Sequence, residues 1–166
     1  MATKASFTAK EWQQLLESPM LAAMAVTAAD PSGLFGLVKE GFAASRALAE
    51  AKADAGSNEL VSAVVADLET SEGRDSVREG LKAALAGARA ADVKPRAIEG
   101  LRQLAQLLEA KAPNDAPAFK TWLATLAERV AEASKEGGFL GFGGVQVSDA
   151  EKATLAEIST ALGHTA

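Results

Sequence analysis

The chain has 166 residues, enough for one domain with a hydrophobic core, and 48% of them are apolar, which excludes the low-hydrophobicity signature of a disordered chain. Its formal net charge is −5 and its basic residues form no run, which argues against nucleic acid as a partner and against a purely electrostatic pull toward an anionic membrane. There is no cysteine, which excludes disulfides, thiolate chemistry and cysteine-ligated metal centres.

Alanine is abundant and tyrosine absent, so helix formers dominate strand formers. Thr8 to Glu11 has the spacing of a capping box, and Trp12, Leu15 and Leu16 follow on one helical face. Pro19 starts a second segment through Met20, Leu21, Met24 and Ala28, which Asp30-Pro31-Ser32-Gly33 stops. Residues 34–53 read as a helix with Leu34, Leu37, Val38, Phe42 and Leu48 inward, and Gly56-Ser57-Asn58 breaks it. Leu60, Val61, Val64, Val65 and Leu68 give the next face. Gly73 marks a hinge or break, and Val77, Leu81, Ala84, Leu85 and Ala88 follow. Asp92 caps a longer helix with Pro95 in its first turn and Ala97, Ile98, Leu101, Leu104, Ala105 and Leu108 inward. Pro113 to Pro117 is punctuation, and Phe119, Trp122, Leu123, Leu126 and Val130 line the helix beyond it. Ser148 to Glu151 repeats the capping-box spacing before Leu155, Ile158 and Leu162, and Gly163 ends the chain's last helix.

These elements describe an all-α, single-domain helical bundle of about seven helices over residues 1–166. Ala28 to Gly36 echoes Ala133 to Gly141, as two related helical hairpins would, though chance in an Ala- and Gly-rich chain explains it equally well. The polar residues 10–17 precede the apolar stretch 20–29, which is too short to span a bilayer and lacks signal-peptide order; the expectation is a cytoplasmic protein.

Catalytic residues are not apparent. The one histidine, His164, lies in the terminal tail, so the common nucleophile–base pairs are missing. The Gly-rich segment 137–144 fits neither phosphate-binding glycine pattern. Its apolar residues Phe139, Leu140 and Phe142 either plug the bundle or project toward a protein partner or lipid, with 137–145 as the membrane-contact segment. Glu128, Glu132 and Glu136 share one helix face, where like charges repel and the macrodipole near the helix C-terminus disfavours them. Either this is a solvated acidic face, or Glu132 and Glu136 meet Asp149 and Glu151 across the loop in an oxygen-rich site for Ca²⁺ or Mg²⁺.

Val130 to Gly137, a loop, and Val147 to Gly163 with its Ser148-x-x-Glu151 cap and its Leu155, Ile158 and Leu162 face resemble the TerB-like (tellurite-resistance) helical domains over about 35 residues. The resemblance implies an all-helical bundle with acidic turns, divalent-cation binding through Glu136 and Glu151, and a role in stress response or membrane-associated assemblies. The extended Gly-rich loop departs from that pattern, and residues 55–112 show no counterpart. The expected function is therefore a non-enzymatic helical binding or accessory protein, cation-responsive, with a protein partner. The alternatives are docking of a membrane or hydrophobic ligand by 137–145, and a carboxylate-based enzyme.

Overall fold

The computed structural model describes residues 1–29, 58–136 and 147–163, the side chains of 133–136 excepted. The helix expected over 34–53, the loop with Phe139, Leu140 and Phe142, most of the hairpin echo and His164 lie outside those residues. Among the described residues there are six α-helices and no strand: α1 (Ala9–Thr27), α2 (Glu59–Leu68), α3 (Ser71–Ala84), α4 (Ala90–Lys111), α5 (Ala116–Glu136) and α6 (Asp149–Ala161). None of them is long and apolar enough to cross a membrane.

Helix α1 begins at the expected capping box. The Thr8 hydroxyl accepts from the Glu11 amide at 3.3 Å, and the Glu11 carboxylate accepts from the Thr8 amide at 2.7 Å. It does not end at Pro19, where the sequence suggested a boundary; one helix runs straight through. Proline brings no N–H, so the carbonyl of Leu15 loses its ordinary donor. The neighbouring Ser18 hydroxyl replaces it, donating to the Leu15 carbonyl at 2.7 Å in a buried bond. The two expected helices thereby fuse.

This repair matters because α1 is the central helix. It packs against all five of the others, most extensively against α4 and then α5. Leu15, Leu16, Glu17, Ser18 and Pro19 are buried in succession, which a helix with a single apolar face would not allow. Ala22, Ala23 and Ala25 let neighbours come close, and Leu21 lies against Gly100 of α4, where a Cβ would stand 2.8 Å from the Leu21 Cδ1.

The outer helices follow the expected periodicity with instructive differences. All six inward positions named for α4 are buried, as are Phe119, Trp122, Leu123, Leu126 and Val130 of α5. Of the face expected there only Val77 is buried; Leu81 is half-buried and Ala84 exposed, and Leu85 and Ala88, both half-buried, fall past the end of α3, which lies against α1 and α2 at the margin of the bundle. Asp92 is not the cap of α4 but its third residue. Its carboxylate reaches back to the Arg89 amide at 2.9 Å, so the helix starts earlier and Pro95 falls beyond the first turn. Gly73 is likewise not a break. The chain turns at Glu69–Thr70, and Gly73 lies in the first turn of α3, its amide donating to the Thr70 hydroxyl at 2.9 Å. A Cβ there would stand 2.0 Å from the backbone oxygen of Asp67.

Polar ties fasten the ends. Arg96 donates to the carbonyls of Ala84 and Ala86 at 3.0 and 3.1 Å, satisfying the C-terminus of α3. The buried Asp115 carboxylate accepts from the Ala2 amide at 2.8 Å and from Asn58 at 3.1 Å, joining the N-terminal segment and the start of α2 to the α4–α5 turn.

Two substitutions check this arrangement. Ser18→Ala leaves the buried Leu15 carbonyl unpartnered and should cost about 1–3 kcal/mol in urea unfolding. Gly73→Ala forces backbone apart and should lower stability by about 1–3 kcal/mol. An unchanged midpoint in either variant would refute the corresponding contact.

Candidate functional site

The N-terminal residues build one wall of a pocket. Lys4–Ser6 form a short 3-10 turn, and Phe7 then buries its ring against Trp12, with centroids 6.0 Å apart and planes at 44°. Trp12 stands in the first turn of α1, its ring body in the core. A buried indole N–H needs an acceptor, and Asp67, in the last turn of α2, supplies it at 2.6 Å. The Lys4 ammonium donates to the same carboxylate oxygen at 2.8 Å and lies 5.8 Å from the Trp12 ring centroid, within cation–π range.

Asp67 thus sits where a helix dipole disfavours negative charge, held by partners from two other segments. Burial pushes its carboxyl up, but the hydrogen bonds from Lys4 and Trp12 and the charge of Lys4 outweigh that and hold it below the ordinary carboxylate range. The partnership with Asp67 in turn raises Lys4 above the usual lysine value, against a smaller effect of burial. The Lys4 side chain remains 59% exposed, so the ion pair contributes only about 0–1 kcal/mol.

Between these walls lies a cavity of about 250 Å³. Phe7, Trp12 and Leu16 give it an apolar side, and Lys4, Asp67 and Glu72 charge it. Gly73 and Ser76 close it from α3. The volume is below the roughly 300–1,000 Å³ usual for drug-sized ligands and suits one side chain.

Further along the same α1–α3 seam, Gln13 donates to the Ser76 carbonyl at 2.8 Å, and Glu17 is buried against Gly80, where a Cβ would stand 1.6 Å from its Oε1. Burial pushes the Glu17 carboxyl from 4.5 to about 7.

The residues singled out from sequence fare differently. Glu128 and Glu132 are exposed on α5, and the Glu136 side chain lies outside the described set. Asp149 is exposed at the start of α6, 3.5 Å from Lys152. Glu151 is buried and turned into its own helix cap, accepting from the Ser148 amide at 2.8 Å and hydroxyl at 2.9 Å, so its carboxylate serves the capping box. Among the described residues no three His, Cys, Asp or Glu side chains gather closely enough to hold a metal ion. Trp12 and Trp122 are both buried; Trp12 lines the pocket described above, and the Trp122 indole N–H meets no partner among the described residues.

Sequence reasoning missed Lys4, Phe7, Asp67, Glu72 and Ser76. One signal was present for Asp67: an acid in a final helical turn, the same violation noted at Glu136. Lys4 carried none, because its partner lies 63 residues away.

The Glu17 carboxyl gives a pH dependence with a definite sign. Between about 4.5 and 7 the folded state holds a proton that the unfolded state releases, so the stability from neutral Glu17 is complete below 4.5 and is lost as pH rises through about 7. The loss is about 3 kcal/mol at most. Glu17→Gln should flatten this part of the unfolding profile and stabilise the protein at pH 8; a parallel profile would show that Glu17 is not the titrating group.

No protein-family model, curated protein or solved structure matches the chain, so the TerB-like resemblance rests on the residues around Val130–Gly163 alone.

Proposed function

We propose that this chain is a non-enzymatic helical binding protein, an accessory to another protein, and that the partner inserts one side chain into the pocket beside Trp12. The observation that carries this reading is a cavity of about 250 Å³ whose Trp12 and elbow walls are braced by hydrogen bonds within the chain. Trp12 is held by Asp67, and the elbow carrying Asp67 is held by Thr70, whose hydroxyl donates to the Asp67 carbonyl at 2.7 Å while accepting from Gly73. A preformed site avoids the ordering cost that weakens flexible ones. Its aromatic wall supplies apolar contact, and its charged rim supplies orientation.

Titration of isotope-labelled protein with capped single amino acids, one of each chemical class, tests the reading by NMR. Millimolar binding of at least one class should shift Phe7, Trp12 and Ser76 together, and Ser76→Phe, which fills the cavity, should abolish the response. Shifts scattered over the surface, or none, would overturn the proposal.

A further inference from the structure

We infer that the pocket beside Trp12 receives a lysine side chain from a partner protein, and that its ammonium takes over the bond to Asp67 that Lys4, at the rim of the cavity, makes in the chain alone. The inference deepens the binding reading above and rests on it.

The chemistry of the lining selects the ligand. Two carboxylates, Asp67 and Glu72, face one ammonium, Lys4, so the cavity carries excess negative charge and repels an acidic or phosphorylated group. The Asp67 oxygen at the centre already accepts two hydrogen bonds, from Trp12 at 2.6 Å and Lys4 at 2.8 Å. A replacement for Lys4 must therefore donate. An alkylammonium does so, its methylene stem lying along Phe7, Trp12 and Leu16 while its charge meets the Trp12 face.

The Lys4 ammonium already makes the polar half of that pose. It is bonded to Asp67 and lies 5.8 Å from the Trp12 centroid, while the side chain as a whole is 59% exposed. A half-solvated pair of this kind is replaced at little cost, so an incoming lysine exchanges one ammonium for another and gains the contact with the cavity wall. The exposure of Lys4 also shows that the charged end is reached from solvent, as a side chain borne on another protein requires.

The Trp12 indole N–H bonds directly to Asp67, so its NMR resonance reports what else occupies that carboxylate. The probes are capped lysine, capped leucine and cadaverine, titrated into the full chain and into Lys4→Ala and Lys4→Met, the latter keeping an apolar stem. Capped lysine should shift the Trp12 indole, and both variants should bind it up to about tenfold more tightly than the parent chain. Adding Glu72→Gln should weaken it several-fold. Three results would overturn the inference while leaving the pocket a binding site. They are equal binding of capped leucine, no gain on removing Lys4, and tighter binding of cadaverine, which would make the occupant a free diamine. No response to any probe would overturn the inference and the binding reading together.

Discussion

Burying the middle of one helix on every side is the constraint from which the rest of this architecture follows. Helix α1 touches all five of the other described helices, and its middle, Leu15 to Pro19, is buried around the whole helix. Every polar group in its middle therefore needs a solution inside the protein. Pro19 would strand the Leu15 carbonyl, and Ser18 takes over as donor. Glu17 has no such repair. Its carboxyl rises to about 7 and lies against Gly80, a position without a side chain. Small residues carry the same logic outward, since Ala22, Ala23, Ala25 and Gly100 let neighbours approach the central helix.

The pocket belongs to the edge of this arrangement. Trp12 enters the core at the first turn of α1, where its neighbours are the N-terminal segment and the α2–α3 elbow instead of long helices. Its indole N–H cannot be left dry, and Asp67 meets it from a position that is itself unfavourable for an acid. Each group answers the other's cost, and Lys4 completes the exchange. Local disagreements with helix physics thus cancel in pairs, as happens where a site is built into a fold.

Much of the helical framework was legible because it rests on local rules. The capping boxes at Thr8 and Ser148 and the inward faces of α4 and α5 depend on residues a few positions apart. The errors arose where a local rule had a tertiary answer. Pro19 looked like a start, but Ser18 and the surrounding packing carry the helix through it. Gly73 looked like a hinge, yet it is a close contact with the Asp67 carbonyl. The pocket was nearly invisible, because its parts lie 55 to 63 residues apart. Glu151 illustrates the reverse: an acid that the sequence offers both as cap and as ligand is buried as a cap.

The elbow between α2 and α3 has a consequence for how this protein can change. Gly73 and Thr70 fix the backbone there, and neither carries charge. The charge is divided between Asp67, which that frame holds, and Lys4 and Glu72, exposed residues beside it. The shape and the adjustable part of the polarity are therefore written in different residues. A descendant chain can invert the net charge of its pocket by changing Glu72 to a base, one surface position, while Asp67 and the walls it braces stay as they are, so new recognition is accessible by drift without passing through an unfolded intermediate sequence.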